Sequence, residues 1–282
     1  MIKTVPQLVT EALNGLLKEQ KFPTQWKLAK LILIHKAGKP FDSPSGYRPL
    51  CLVDAMAKLY EHLIKTRLEH EIHENEGLSC NQYGFRKGKS TMDAIETVIA
   101  KAKNIKYGGQ GERWCVFVTL DVKNAFNSAS WAILMRKLRG VNISQYLINI
   151  IRDYFENRYI LMDDNRRQMS AGIPQGSVLG PLLWNFYYDS VLRLELVEGV
   201  QTVGYADDLA ILVAGETAEM LIRKTNTTLE QVKAWMDQHC LELAPEKTEA
   251  VILSGKRERH NIAFKLGENH IRPGKAVKYL GV

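Results

Sequence analysis

The sequence predicts an α+β fold in which helical and extended segments alternate along one chain. Three observations lead there. Stretches at 7–20, 56–63, 95–102 and 217–238 read as helices, most of them with apolar residues at three- and four-residue spacing. Between them lie short runs rich in β-formers, at 31–36, 114–122 and 202–213, bounded by turn residues. With 282 residues, 45% of them hydrophobic and 24% charged, the chain can enclose a sizeable core in one or two domains.

Composition narrows the function classes. No apolar run approaches the length of a membrane span, and the N-terminus lacks the apolar core of a signal peptide, so neither a membrane partner nor secretion is expected. Cys51, Cys80, Cys115 and Cys240 are scattered without a C-x-x-C pair, which fits reduced thiols and no zinc site. The net charge of +7 is uneven: 18 basic residues face 12 acidic ones up to position 113, and 20 face 19 beyond it. A basic first part beside clustered acids suits a polyanion held near bound cations, although a merely soluble basic surface has the same signature.

In chain order, 7–20 reads as an amphipathic helix, and Leu31-Ile-Leu-Ile-His-Lys36 as a buried strand ending on a lysine. Turn residues separate it from the extended segment Tyr47-Arg-Pro-Leu-Cys-Leu52, so Lys36 and Arg48 flank one loop. Cations so placed suit a triphosphate, or are simply surface charges on a hairpin. Asp54 can cap a helix carrying Met56, Leu59, Tyr60 and Leu63. Asn81-Gln-Tyr-Gly-Phe-Arg-Lys-Gly-Lys-Ser90 interleaves Tyr83 and Phe85 with Arg86 and two lysines among glycines, which suits a loop that stacks on a nucleic acid strand. Ser90 or Thr91 caps the next helix, and Gly108-Gly-Gln-Gly111 is a flexible seam.

Trp114-Cys-Val-Phe-Val-Thr-Leu-Asp-Val122 reads as a strand buried on both faces that ends on Asp121, an acid that packing does not explain. A helix with Trp131, Leu134, Met135 and Leu138 follows, with Gly140 past its end, and Ser144 caps another. In Ala171-Gly-Ile-Pro-Gln-Gly-Ser-Val-Leu-Gly-Pro181 the glycines let backbone approach a ligand, and the helix that follows offers free N–H groups at its start. A plain loop-to-helix entry reads the same way. Thr217 starts a long helix, a turn carrying Lys247 leads to a strand, and the sequence stops on an apolar run, as though cut from something longer.

The centre of the sequence is Thr202–Val213, where two β-forming runs flank Tyr205-Ala-Asp-Asp208. Successive strand residues face opposite ways, so Asp207 and Asp208 can face one site only at the turn of a hairpin. Two adjacent carboxylates repel and call for a cation. A second pair, Asp163-Asp164, is followed by Asn165 and two arginines and reads as an ordinary hairpin turn with its charge neutralised locally. If the strands ending on Asp121 and at Asp207 are neighbours, the acids meet at one rim. Hard oxygen ligands without nearby His or Cys favour Mg²⁺, and the chemistry is then phosphoryl or nucleotidyl transfer.

Taken together and in order, Phe117-Val-Thr-Leu-Asp121 with Ala125-Phe126, Gly172-Ile-Pro-Gln-Gly-Ser177, Tyr205-Ala-Asp-Asp208, Lys247 and Tyr279-Leu-Gly281 resemble the motifs of reverse transcriptases. The upstream residues Trp26-Lys27, Lys36, Tyr47-Arg-Pro-Leu50 and Gln82-Tyr-Gly-Phe-Arg86 are similar to those of non-long-terminal-repeat (LINE-type) retrotransposons; group II intron and retron enzymes share the central motifs. The resemblance covers nearly all of the chain. It implies a right-hand polymerase fold without its thumb, with fingers at 1–113 and 134–170 and a palm with a ferredoxin-like sheet at 114–133 and 171–282.

It further implies an RNA-directed DNA polymerase with two Mg²⁺ ions (Mn²⁺ as substitute) held by Asp121, the Val122 backbone, Asp207 and Asp208. Lys36 and Arg48 would grip the triphosphate, Phe126 would reject a 2′-hydroxyl, and Gln175 and Gly176 would lie against the template-paired nucleotide. Lys247 would donate a proton to pyrophosphate. Tyr83, Phe85 and Arg86 would contact nucleic acid, and Tyr279, Leu280 and Gly281 would seat the primer end. The implied partners are an RNA template, a DNA primer or nicked target DNA, and deoxynucleoside triphosphates. The implied location is intracellular, nuclear with a cytoplasmic ribonucleoprotein stage. Without a thumb, endonuclease or Cys/His knuckle, these 282 residues are expected to bind primer–template weakly or to fail to polymerise by themselves. A non-catalytic RNA-binding module and an RNA-directed RNA polymerase remain the competing readings, and the aromatic at position 126 speaks against the second.

Overall fold

A computed structural model describes residues 6–107, 114–254 and 262–282. The chain opens with α1 (Pro6–Glu19), β1 (Leu28–His35) and β2 (Tyr47–Leu52). Next comes α2 (Ala55–Asn75), capped by the Asp54 carboxylate, which accepts the Met56 and Ala57 N–H groups. α3 (Thr91–Tyr107) begins where Ser90 and Asp93 bond each other reciprocally. β3 (Trp114–Leu120), β4 (Val122–Lys123) and the single turn α4 (Ala125–Ser128) lead to α5 (Trp131–Gly140) and α6 (Gln145–Phe155). The hairpin β5 (Tyr159–Met162) and β6 (Asn165–Gln168) precedes α7 (Gly180–Tyr188). A second hairpin, β7 (Val200–Tyr205) and β8 (Asp208–Gly215), runs into α8 (Ala218–Gln238), which starts on the Thr217 cap. β9 (Glu242–Leu243), β10 (Glu249–Ser254), β11 (Phe264–Leu266) and β12 (Asn269–Ile271) complete the order.

These elements form two compact units, residues 1–77 with 126–187 and residues 78–125 with 188–282. The cuts differ from the expected finger and palm boundaries at 113, 133 and 170, because compactness and functional naming divide a chain by different criteria. The expected seam at Gly108–Gly111 lies outside the described residues.

In the first unit, β1 pairs antiparallel with β2 and parallel with β5, in the sheet order β2-β1-β5-β6. α2 buries Ala57, Tyr60, Glu61, Ile64, Leu68 and Ile72 at helical spacing. Phe22 stands edge-on to Tyr154 at 5.0 Å between ring centroids and 5.7 Å from Tyr60, which makes an aromatic centre for this unit. Three expectations need correcting. β1 is not buried: Ile32, Leu33 and Ile34 are exposed, because β2 pairs along one edge there, β5 reaches only Leu28–Lys30 on the other, and neither strand covers a face. Gly140 is the last residue of α5 rather than the one after it. Ser144 sits at the start of α6 without capping it; its N–H and hydroxyl both donate to Glu71, which ties α6 to α2.

In the second unit the sheet order is β10-β3-β8-β7, with every neighbour antiparallel. Counting only its own strands, the order is fourth, first, third, second, the arrangement of a ferredoxin-like sheet. Cys115, Phe117, Ala210, Leu212, Ala214 and Val203 pack on one face against Ala94, Val98 and Ile105 of α3. The alternate residues Val116, Val118, Leu120, Leu209, Ile211 and Val213 are buried as well. Each such aliphatic side chain stabilises by about 1.5–3 kcal/mol when fully buried. Strands so filled on both faces tolerate a carboxylate only at their ends, and this packing confines Asp121 and Asp208 to the sheet rim.

Candidate active site

The β7–β8 register closes on the pair Tyr205–Asp208 and leaves Ala206-Asp207 as a two-residue turn. Tight hairpins need left-handed backbone, and Ala206 supplies it at φ 56°. Between β3 and β8 the register ends at Leu120–Leu209, so the next residues outward are Asp121 and Asp208. They lie on neighbouring strand ends and, by the two-residue alternation, on the face that carries Phe117 and Leu212. The acidic pair at Asp163-Asp164 stands, as expected, in the exposed turn between β5 and β6.

Asp121 is clasped from the other side. Its carbonyl accepts the Ala244 N–H at 2.8 Å, and its carboxylate accepts from the Lys247 ammonium at 2.6 Å. Lys247 ends a short 3-10 turn, Pro245–Lys247, that aims it there. Val122 follows in β4, fixed by pairing with Leu243 of β9. A cavity of about 260 Å³ brings together Asp121, Asp208, Lys247, Glu249, Tyr279 and Leu280. Asp207 is not on its lining, yet it feels the Asp121 and Lys247 charges from the turn.

The negative charge here is under-compensated. Burial pushes Asp207 above the usual carboxylate range; a backbone N–H of its own and Lys247 pull down, and Asp121 pushes up. Asp208 is pushed up to about 6, by its poorly solvated surroundings first and then by the charges of Asp207 and Asp121. Its side chain still reaches solvent, so water screens part of that effect. The buried Tyr188 hydroxyl donates to the Asp207 carbonyl at 3.4 Å, and burial followed by the three carboxylates raises its phenol well above its ordinary value.

Among the described residues no three carboxylate, imidazole or thiol groups form a ready-made metal cage. The donor set nevertheless fits a hard divalent cation. It consists of carboxylates whose repulsion a cation would relieve, with a cation, the Lys247 ammonium, already drawn onto one of them.

This repulsion has a measurable consequence for stability. In the unfolded chain Asp208 loses its proton near the ordinary aspartate value of 3.8; in the fold it keeps it to about 6. Between those values the folded state binds the proton more tightly, so stability falls as pH rises through that window. Asp208→Asn removes the cost. Thermal melts in chelator are expected to show it more stable than wild type at pH 7 by about 1 kcal/mol, after allowing for solvent screening, with no gain at pH 4. Equal midpoints at both pH values would show that the turn carries no electrostatic load.

Residues 34–282 match the family described as reverse transcriptase (RNA-dependent DNA polymerase). The chain belongs to that family. It is 33% identical over 250 residues to a probable RNA-directed DNA polymerase from transposon BS of Drosophila melanogaster, covering 83% of this chain and 27% of that protein. It is 27% identical over 286 residues to the RNA-directed DNA polymerase from mobile element jockey of the same fly, covering 98% of this chain and 31% of that one. It thus spans about a third or less of these curated relatives. A solved apo telomerase from Candida tropicalis, truncated from its C-terminal domain, has the same fold with a TM-score of 0.61, over 93% of this chain and 57% of that one, at 12% identity.

The other residues named from sequence divide between the two units. In the first, Arg48 lies opposite Ile34 across β1–β2, and Lys36 continues β1 two residues on, with its ammonium on the Ser45 carbonyl at 2.9 Å. The Phe126 ring stacks on buried Trp184 at 4.9 Å, and its carbonyl accepts the Ile173 N–H at 2.7 Å. Gln175 accepts the Cys51 N–H at 2.7 Å. Gly176, at φ 112°, rests on the Cys51 carbonyl, where a Cβ would stand 2.5 Å from oxygen. The α7 start does not offer the free N–H groups expected of it. Buried Glu61 accepts from Val178 at 2.6 Å, Leu179 at 3.1 Å and the Ser177 hydroxyl at 2.8 Å, so a protein carboxylate already occupies that position.

In the second unit, Phe85 is exposed, and the Arg86 guanidinium reaches the Ser79 carbonyl at 3.4 Å. The Tyr83 hydroxyl pairs with Thr97 at 2.8 Å. The Tyr279 ring is buried edge-on to Phe117 at 5.3 Å, while Leu280 and Gly281 form the turn after it. Sequence reading missed Glu61, Gln82 and Tyr188. Glu61 had a signal, since it interrupts the apolar spacing Ala57, Tyr60, Ile64, Leu68 on the buried face of α2.

Proposed function

We propose that this chain supplies the catalytic centre for RNA-directed DNA synthesis by nucleotidyl transfer. The observation that carries the reading is the meeting of Asp121 and Asp208 on adjacent ends of a ferredoxin-like sheet, with Asp207 in the turn between β7 and β8. The family match and the names of the relatives support it. In this reading the primer 3′-oxygen attacks the α-phosphorus of a deoxynucleoside triphosphate, a P–O bond forms, and the bond to pyrophosphate breaks in line. Asp121, Asp207, Asp208 and the Val122 carbonyl would hold two Mg²⁺ ions, or Mn²⁺ in their place, which supply Lewis-acid stabilisation of the attacking and leaving oxygens.

The chain's own residues do the rest. Lys36 and Arg48 grip the triphosphate, and Gln175 with Gly176 backs the template-paired nucleotide. Phe126 excludes a 2′-hydroxyl. Lys247, already at hydrogen-bond distance from Asp121, gives a proton to departing pyrophosphate. Tyr83, Phe85 and Arg86 contact nucleic acid, and Tyr279, Leu280 and Gly281 seat the primer end. Fingers at 1–113 and 134–170 and a palm at 114–133 and 171–282 belong to this proposal. So do an RNA template, a DNA primer or nicked target, and a nuclear site of action with a cytoplasmic ribonucleoprotein stage. Primer extension decides it, run on this chain and on the whole reading frame that contains it. Extension that requires the RNA template, deoxynucleotides and a divalent ion supports the reading. Salt-sensitive RNA binding without extension in either form would leave only an RNA-binding module.

A further inference from the structure

We infer that Gln82 is a positioning residue that holds the acidic turn in its left-handed shape, so that Asp207 and Asp208 stay aimed at Asp121. The side chain is fully buried and makes three hydrogen bonds. Its Oε1 accepts the Ala206 N–H at 3.0 Å and the Gly84 N–H at 2.9 Å, and its Nε2 donates to the Ala206 carbonyl at 3.2 Å. One side chain thereby serves both backbone groups of the residue whose φ is 56°. A side chain with a Cβ is disfavoured in that region, so the shape needs an external hold. The repulsion among the three carboxylates works against the turn as well.

Gln82 is itself held in register. The Gly204 N–H donates to the Asn81 carbonyl and the Tyr83 N–H to the Gly204 carbonyl, both at 2.8 Å, so residues 81–83 form a bracket along the outer edge of β7. Gly84 lies against the turn so closely that a Cβ there would stand 2.1 Å from the Ala206 nitrogen. Lys89 secures the bracket from behind, donating to the Gln82 carbonyl at 3.0 Å and lying 4.3 Å over the Tyr83 ring. The stretch that reads from sequence as a nucleic-acid loop therefore works inward at Gln82 and Gly84.

For its effect on rate the inference rests on the polymerase reading, so the experiment includes a readout that does not. Gln82→Met keeps the length and loses all three bonds; Gln82→Glu keeps the acceptor and loses the donor. Amide hydrogen exchange at Ala206 reports the clamp directly, and the Ala206 amide of folded Gln82→Met is expected to exchange about tenfold faster. In primer extension kcat is expected to fall about tenfold, from misplaced carboxylates, with KM for primer–template little changed. Gln82→Glu should fall between. Adding Ala206→Gly to Gln82→Met should recover part of kcat, because glycine enters the left-handed region freely; a general loss of folding would not be rescued in this way.

Unchanged Ala206 exchange in folded Gln82→Met overturns the inference. So does a loss of kcat that glycine does not relieve and that follows the thermal midpoint. Asp207→Asn in the same assay separates the two claims. If it extends primers normally, the assignment of Asp207 to the metal site fails while the exchange result still judges the clamp. If it is inactive and both Gln82 variants are normal, only the clamp fails.

Discussion

Asp207→Asn is expected to reduce RNA-templated primer extension by about 10³-fold or more. The argument is electrostatic. Asn has the size of Asp and can keep the turn hydrogen bonds, so the hairpin and its Tyr205–Asp208 pairing should survive. What it removes is one of three charges whose mutual repulsion raises the proton affinity of Asp207 and Asp208. That repulsion is the reserve that cation binding would draw on. A neutral residue weakens binding and leaves less charge to balance the transition state. Circular dichroism should show the fold retained, which separates the effect from unfolding. Asp163→Asn is the control: it too removes a charge from a two-residue hairpin turn, but one followed by Arg166 and Arg167, and it should extend primers at wild-type rate. Wild-type extension by Asp207→Asn would remove Asp207 from the metal assignment.

The contrast between those two acidic turns shows what local sequence can carry. Two apolar β-forming runs around Tyr205-Ala-Asp-Asp208 define a hairpin and place the acids at its tip, and Asn165 with two arginines marks Asp163-Asp164 as an ordinary turn. Caps at Asp54 and Thr217 are legible for the same reason, since capping is decided within three residues. Asp121 could be suspected because an acid ends a strand of core residues. Its partners could be named only conditionally or through the family resemblance, because the pairing of β3 with β8 is set by long-range order in the sheet rather than by either strand.

The failures have a common cause. A polar side chain that is buried and fully bonded has the same letter as one in water. Gln82 lies in a stretch whose aromatic and basic residues suggest an outward role, and nothing local says that its amide serves a turn more than a hundred residues later. Glycines near a helix start suggest an anion site, but Glu61, remote in sequence, fills it. β1 errs in the opposite direction. Its apolar run implies burial, yet hydrophobic content fixes only that a strand can be covered, not that the described chain covers it.

Phe126→Ala is expected to relax sugar selection, raising ribonucleotide incorporation relative to deoxynucleotide by about 10²-fold. The ring is a good wall because it cannot retreat. It stacks on Trp184, itself fully buried, and its backbone is pinned by the Ile173 N–H. It is also half-buried, so part of its surface remains to meet a ligand. Exclusion by bulk differs from discrimination by hydrogen bonding: an apolar wall leaves no polar group unpaired when the wrong sugar is absent, and its penalty is the steric cost of one oxygen. That is why the expected factor is near 10² and not 10⁴. Phe126→Tyr keeps the ring and should keep the selection, whereas Phe126→Ala opens the space and should leave deoxynucleotide turnover much less affected than ribonucleotide turnover. Competition between ribo- and deoxynucleoside triphosphates on one RNA template measures the ratio directly. A ratio unchanged by Phe126→Ala would show that the sugar is read elsewhere and that the stacked pair serves packing alone.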